Sequence, residues 1–535
     1  TEQRVLEAAS VSGLTFAAGV VAHALDAQVD EVDSCCETLA NERRLLQYLG
    51  TETWTDGTIQ SRYAFRHALI QHAALARSPS SSLRLWHRRI AERLEEGYAG
   101  REDQVAAELA VHFDEGHQFA KAAPHYLVAG ERAAGRHGHV EAVVHFERSR
   151  HLVARLPEGR ERDELELRVL HGLGPSLLAT KAPTAHDLIA TVERAVELAT
   201  HLKDDVRRGA ALVVLQRCRL WKGDFRAVGE HADEVMAAVE RVPDPVLRAS
   251  AAQLGGGAAF ARGNFTEARR LLDLARAIDE ADGAIPSEPL VAALSVGALL
   301  AWLTGRPDEA LALAHDSVRS AEALREPSAL TQALCGVATV RAWRGEPQQA
   351  EEPAQRALAT ATEEHMSFWR NRALSLVHWA KSELDPTTSA AHVDEQPSEP
   401  WDSRFAGRTL DALLFISLCA RVGRETRALE EIASALAFAD SNDERFLAPE
   451  LHRLRGELLK ASDRATAERS FTTAIDLAKK QSSTAFELRS TLSLHRIVGG
   501  ARRRRIRDEL RRLVSTYNEG LDTGDLRDAR AVLAD

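Results

Sequence analysis

Apolar positions in the stretch Arg62 to Leu75, RYAFRHALIQHAAL, change period halfway. Tyr63, Phe65 and His67 alternate as on a strand, and from Ala68 the spacing turns helical through Leu69, Ala73 and Ala74. His67 therefore sits on a strand-to-helix corner. Upstream, the pattern predicts helices over 2–10, with Val5, Leu6 and Ala9 on one face, then over 15–25 and 28–43. Two extended runs follow, Leu45 to Trp54 and Ile59 to Phe65, joined by Thr55-Asp56-Gly57, whose Asp-Gly pair suits a hairpin reversal. Beyond the corner, Ser78-Pro79 reads as an N-cap and first helical position for a helix with Leu83, Trp86, Ile90 and Leu94 along one side.

Three helices and a hairpin predict a winged-helix-like unit. From about residue 138 a different pattern takes over: a turn residue, a small residue about five later, and another seven further on. It recurs as Gly263 with Ala268 and Ala275, Gly305 with Ala310 and Ser317, Gly345 with Ala350 and Ala357, Gly423 with Ala428 and Ala435, and Ser462 with Ala467 and Ala474. With Gly223, and earlier turns near Gly138 and Lys181, the step is about 40 residues; one double step spans a weaker turn at Asp385-Pro386. Physically this is a pair of helices per repeat, reversing at glycine and packing closely over small residues. Trp221, Trp302 and Trp343, just before their turns, are expected to fill space between paired helices. Asp385 to Ser403 is polar and aperiodic and reads as an exposed loop, while helices over 464–480, 483–497, 501–516 and 524–533 close the chain.

Gly223-Asp-Phe-Arg-Ala and Gly263-Asn-Phe-Thr-Glu-Ala268 resemble the turn of the tetratricopeptide repeat, in a stretched form of that roughly 34-residue unit. The resemblance implies an all-α fold: the winged-helix-like unit with its small β-hairpin over 1–97, then a right-handed α-α superhelix of nine or ten tetratricopeptide-like repeats over 98–535. YAFRHALIQHAAL, LWHRRIAERLEE and ELAVHFDEGHQFAKAAPHYLVAGERA resemble the region after the NTPase domain of bacterial STAND signal-transduction ATPases. The end, from ELHRLRGELL to EGLDTGDLRDARAVL, is similar to the C-terminus of the same proteins. Many of these carry a class III nucleotide cyclase or a kinase domain upstream. In related STAND proteins the winged helix holds a Met-His-Asp motif whose histidine reaches the β-phosphate of ADP. By this resemblance the role carries over to His67, with Arg66 in place of Met, a basic residue also expected to face the ADP phosphate in the parent, and Ala68 in place of Asp, so the residue that would orient the imidazole is missing. The other reading of His67 is a buried corner histidine bonding a backbone carbonyl.

Composition narrows the function. The 535 residues have abundant Arg, little Lys and much Ala, which favours helices. Five cysteines without CxxC spacing encode neither a disulfide framework nor a zinc ribbon, and a reducing cytoplasm is expected. No apolar run reaches the roughly 18 to 20 residues needed to cross a bilayer. A net charge of −11, and Asp30, Glu31, Asp33 and Glu37 on the third helix against Arg43 and Arg44 at its end, argue against a DNA-binding role. The chain contains no GxxxxGK[ST], GxGxxG, HExxH or GxSxG, so it is not expected to be an enzyme or to bind a cofactor itself; ADP or ATP belongs to the suspected parent. His112, His117, His125, His137, His139, His145 and His151 fall on several helix faces, away from a metal-binding arrangement. Arg502 to Arg505, with Arg507, Arg511 and Arg512, form a basic helix read as a solvated face, and adjacent Cys35 and Cys36 face apart.

The expected function is the sensor region of a STAND-type ATPase. A protein, peptide or small signal binds in the superhelix groove and controls an upstream NTPase domain, with assembly on activation. The alternatives are a stand-alone interaction scaffold and a winged-helix transcriptional regulator. Thr1 is not an initiator Met, and an amphipathic helix begins at once, so a fragment of a longer parent is expected.

Overall fold

The computed structural model describes residues 2–181, 183–240, 242–282, 286–395 and 407–534. The chain divides into two compact units, 1–211 and 212–535.

The first unit opens with α1 (Glu2–Ser12), β1 (Thr15–Ala17), α2 (Ala18–Leu25), α3 (Val29–Asn41), β2 (Leu46–Thr53) and β3 (Ile59–Phe65). The sheet has three antiparallel strands in the order β1-β3-β2, where a two-stranded hairpin was expected. The helix expected over 15–25 is therefore corrected: Thr15, Phe16 and Ala17 pair with Ala64, Tyr63 and Arg62 before the helix starts at Ala18. Phe16 stacks on Tyr63 at 6.1 Å and lies 5.7 Å from Phe65, and this aromatic burial outweighs the helical preference of Ala17. The Tyr63 hydroxyl donates to Asp33 Oδ1 at 2.8 Å, tying the sheet to α3. A bulge between Tyr48 and Gly50 bends β2.

α4 (Ala68–Arg77) and α5 (Ser80–Gly97) follow. Trp86, Ile90 and Leu94 of α5 are buried as the spacing requires. Ser78 does not cap α5; its hydroxyl donates back to Ala74 O at 3.1 Å, and the helix begins after Pro79. The end of α5 grips the hairpin tip. Thr55 Oγ1 donates to Gly97 O at 2.6 Å, and Arg93 pairs with Asp56 at 3.1 Å while its guanidinium lies 4.7 Å from the Trp54 ring. Helices α6 (Ala106–Glu115), α7 (Phe119–Gly135), α8 (His139–Val153), α9 (Arg160–Thr180) and α10 (His186–Leu202) then pack each on the next, and α11 (Asp205–Trp221) contains the division between the units.

The second unit contains α12 (Phe225–Glu230), α13 (Ala232–Val239), α14 (Pro245–Ala261), α15 (Phe265–Asp282), α16 (Glu288–Leu303), α17 (Pro307–Leu324), α18 (Pro327–Arg344), α19 (Pro347–Glu363) and α20 (Ser367–Leu384). It continues with α21 (Ser389–Glu395), α22 (Arg408–Arg421), α23 (Glu425–Asn442), α24 (Ala448–Leu459), α25 (Arg464–Gln481), α26 (Thr484–Ile497), α27 (Gly500–Ser515) and α28 (Gly524–Ala534). Each helix packs on its successor, and α14, α16, α18, α20 and α22 also pack one on the next, which makes a two-layered stack of tetratricopeptide-like helix pairs. Gly263, Gly305, Gly345 and Gly423 all have positive φ, between 69° and 82°, which explains glycine at these reversals. The small residues Ala268, Ala275, Ala310, Ser317, Ala357, Ala428, Ala435, Ala467 and Ala474 are fully buried. The loop expected over 385–403 is corrected in its first half: Ser389–Glu395 is helical, and Val393 is buried against Ala412, Phe415 and Ile416. Residues 396–403 lie outside the described ones.

The stack returns on itself. Arg445 N and Phe446 N donate to Ala261 O at 2.7 and 3.0 Å. Ser483 Oγ donates to Leu303 O at 3.1 Å across 180 positions, and Gly520 N donates to Asp308 Oδ2 at 2.8 Å across 212. Arg489 Nη2 reaches Trp343 O at 2.7 Å. The turns between early helix pairs are thus covered by elements four to five repeats later, and Trp302, Trp343 and Phe486 share one apolar cluster with Phe260 and Phe446.

Candidate functional site

His67 occupies the expected corner. With φ −143° and ψ 138° it is the last extended residue before α4, and its carbonyl accepts from Ile70 N at 3.0 Å. The ring is exposed and does not cap the helix. The reading as a buried core histidine is therefore overturned, because the buried side of the corner is taken by Tyr63 and Phe65. Arg66 is also exposed, and its Nε donates to Leu46 O at 3.0 Å, which anchors the guanidinium to β2.

The first member of the histidine-rich stretch has a close histidine partner outside it. His112 Nδ1 lies 2.9 Å from His87 Nδ1, joining α5 to α6. Burial pushes both rings down, to about 3 and about 4, so both are neutral near pH 7 and one donates to the other. Among the described residues no three His, Cys, Asp or Glu side chains converge to hold a metal ion. Cys36 is buried and Cys35 half-buried, and burial raises both thiols. Arg502, Arg511 and Arg512 pair with Glu468, Asp508 and Glu509 on an exposed face.

The second unit contains a cavity of about 200 Å³ lined by α11, α14, α16, α18 and α20, the first helix of each successive repeat, together with Leu410, Glu444 and Phe446. Aromatic rings form part of its wall. Trp221 meets Phe368 and Trp369 edge to face at 5.1 and 6.0 Å, and Phe260 lies 4.7 Å from Phe446. Of the three tryptophans expected as core filler, Trp302 and Trp343 are buried with rings 4.9 Å apart, whereas Trp221 is half-buried and lines this cavity.

The charged groups at the wall are already matched. Arg372 holds Asp411 through two hydrogen bonds, one of them 3.0 Å, and donates to Gly407 O at 2.9 Å. Glu444 is fully buried; burial pushes its carboxyl up, against hydrogen bonds from Thr409 and Gly407, both of whose backbone N–H groups lie 2.8 Å away. Arg217 pairs with Glu288 at 2.9 Å. The amides are different. Gln253 is 7% exposed, faces the cavity, and has no hydrogen-bond partner among the described residues. Gln332, Trp221 and Trp369 also line the cavity and are half-buried, and each carries a polar N–H.

A second cavity, of about 280 Å³, is polar and internally satisfied. Arg453 forks onto Glu450 with both bonds at 2.8 Å, and Arg489 bonds Asp525 at 2.8 Å with its guanidinium 4.6 Å from the Trp302 ring. Burial pushes Glu450 up, but Arg453 and Arg489 outweigh it and hold the carboxyl below its ordinary value.

Neither cavity was legible in the sequence. The available signal was Gln253 in the otherwise small and apolar run ASAAQLGGGAAFA, and Gln332 among the apolar residues of α18.

No family model matches the chain. It is 22% identical over 453 residues to an uncharacterised protein of Rhizobium meliloti (strain 1021), a match that covers 82% of this chain and 44% of the relative, so the chain spans less than half of that protein's length. Among solved structures it is similar to a Rap protein complexed with competence and sporulation factor, with TM-score 0.40 and 11% identity over 77% of this chain and 96% of that one. A STAND protein with a tetratricopeptide repeat sensor from Pyrococcus horikoshii gives TM-score 0.35 and 11% identity over 96% of this chain and 65% of that one. The Cut9-Hcn1 assembly of the APC/C gives 0.36 and 11% over 81% and 92%. At these scores the helical-repeat fold rests on the pairing of the helices themselves.

Proposed function

We propose that the chain is the regulatory region of a STAND-type signalling ATPase, in which the second unit binds a protein, peptide or small signal in its interior and the first unit contacts an upstream nucleotide-binding domain. The observation that carries this reading is the cavity on the first helices of five successive repeats, with aromatic rings in its wall and the Gln253 amide facing it. The reading of the first unit as winged-helix-like is supported by the element order α1-β1-α2-α3-β2-β3, and His67 is exposed at its corner, where it can meet a phosphate. Ligand binding favours a state of the parent that releases ADP, and it can do so only by binding that state more tightly.

The test uses the complete parent. His67→Ala is expected to speed ADP dissociation about tenfold to a hundredfold, since one charge-assisted hydrogen bond contributes roughly 1.5 to 3 kcal/mol. Gly257→Leu, which fills the cavity as an occupant would, is expected to speed it about threefold. Unchanged dissociation in both variants, or a parent without a nucleotide-binding domain, overturns the regulatory reading in favour of a stand-alone scaffold.

A further inference from the structure

We infer that the aromatic cavity of the second unit is an anchor site for a neutral ring-bearing group with an amide beside it, such as a blocked aromatic residue. The inference rests on the reading of this unit as a ligand-binding groove and adds the chemistry of what it binds.

Size comes first. An apolar cavity of roughly 150 Å³ is enough to hold benzene. At about 200 Å³ this one takes a single ring with a short substituent. Shape follows from the wall, where Trp221, Trp369 and Phe260 offer ring edges and faces for offset or edge-to-face contacts.

Charge is excluded by the neighbours. Arg372 is committed to Asp411 and Gly407 O, Arg217 to Glu288, and Glu444 to backbone donors, so an ionised ligand would enter without a counter-charge. A polyol is excluded as well, because it needs partners all round and most of the wall is carbon.

The polar groups of the wall supply the remaining specificity. Gln253 and Gln332 each present a donor and an acceptor, and the Trp221 and Trp369 indoles present donors only. A neutral amide, itself one donor and one acceptor, is complementary to this set. A bare hydrocarbon would cover the Gln253 amide and cut it off from water without giving it a partner. The group can arrive on a peptide or on a free small molecule, and the competing occupant is water.

The glycine at position 257 provides a clean way to close the site. The nearest side-chain atoms to a Cβ built there would be Gln253 Nε2 at 3.7 Å and the Leu220 methyl carbons at 3.9 and 4.0 Å, which is ordinary contact. Gly257→Leu also replaces a poor helix former with a good one inside α14, so the fold is retained.

The experiment is ¹⁹F NMR titration of the full chain with N-acetyl-4-fluorophenylalaninamide and with 4-fluorotoluene, and competition by N-acetylleucinamide. The expected result is saturable binding of the fluorophenylalanine probe with a dissociation constant of about 1 mM. Gly257→Leu should weaken it at least tenfold. Gln253→Leu should weaken it about tenfold and leave 4-fluorotoluene unchanged or tighter, a split that loss of fold would not produce. Preference for the blocked residue over 4-fluorotoluene, and for the L over the D enantiomer, supports a peptide source; equal affinities of the two probes overturn the amide part of the proposal. Competition by N-acetylleucinamide at equal concentration overturns the aromatic part. Absence of saturable binding means that the cavity holds water and overturns the whole inference; if Gly257→Leu still alters ADP release in the parent, the groove reading survives that failure.

Discussion

Gly263 and Gly305 share their sequence signature with Gly345 and Gly423, yet the two pairs do different work. All four reverse the chain at a positive φ between 69° and 82°. A Cβ at Gly263 would sit 2.7 Å from Gln481 Nε2, and one at Gly305 3.2 Å from Thr484 Cβ and 3.4 Å from Tyr517, whereas at Gly345 and Gly423 nothing lies within 4 Å. The Gly345 turn is intermediate, because Arg489 reaches the nearby Trp343 carbonyl with a side chain. A repeat motif therefore records only the local reversal, and whether another part of the stack docks on that reversal is decided far away in the sequence.

The comparison can be broken most forcefully at Arg489. Arg489→Leu removes the link to Trp343 O and leaves the buried Glu450 and the Asp525 carboxylate short of a partner. The expected cost is about 3 to 5 kcal/mol, read as a lower urea midpoint of the second unit. A cost below 1 kcal/mol would mean that the long-range docking contributes nothing measurable.

A smaller and more discriminating effect is expected at the glycines. Gly423→Ala and Gly345→Ala should each cost about 1 to 2 kcal/mol, the strain of a left-handed conformation for a residue with a Cβ. Gly305→Ala adds overpacking against Thr484 and Tyr517 and should cost about 2 to 4 kcal/mol. Gly263→Ala should resemble it, because Gln481 is 8% exposed and its Nε2 donates to Arg445 O at 2.8 Å, so moving aside breaks a buried bond. Equal costs at all four positions would erase the distinction.

The smallest effect is one of pH. Glu450 has a folded value below its unfolded one, so the stability it contributes is present above the unfolded value of about 4.3 and is lost as pH falls through the folded value. Glu444 has the opposite sign: its value is raised by burial, so its contribution is present at acid pH and fades as pH rises past about 4.3. Arg489→Leu should shrink the acid loss and Glu444→Gln should flatten the rise-side loss, both measurable as changes in the urea midpoint between pH 3 and pH 7. An unaltered pH profile in Arg489→Leu would show that its pairing with Glu450 does not set the carboxyl.

How much of this was legible follows from the range of each interaction. The reversals and the small residues at Ala268, Ala310, Ala357, Ala428 and Ala467 repeat in sequence because each serves its own helix pair. The final four helices were legible to within a residue or two for the same reason, since their apolar faces are periodic. β1 was missed because three residues are too few to show a period, and its pairing with β3 lies almost fifty positions away. α21 was missed because its sequence is mostly polar and shows no apolar period, while Val393 is buried against α22. The corner at His67 could be read from a switch of period, and its exposure could not, because Phe16 of the unexpected strand supplies the packing that leaves the histidine outside. The cavity left only Gln253 and Gln332 as traces, two polar residues on faces that should have been apolar.

The return of the stack onto its own early turns has a consequence for how such a chain can evolve. An open array lengthens or shortens by whole copies, since each copy touches only its neighbours. Here Ser483 must meet Leu303, Gly520 must meet Asp308, and Arg489 must meet Trp343. A duplicated or deleted copy of about 40 residues between those partners would put every one of them out of step at once. The number of repeats from Gly263 to Gly520 is thereby fixed by closure, and new copies are expected to be tolerated only outside that interval.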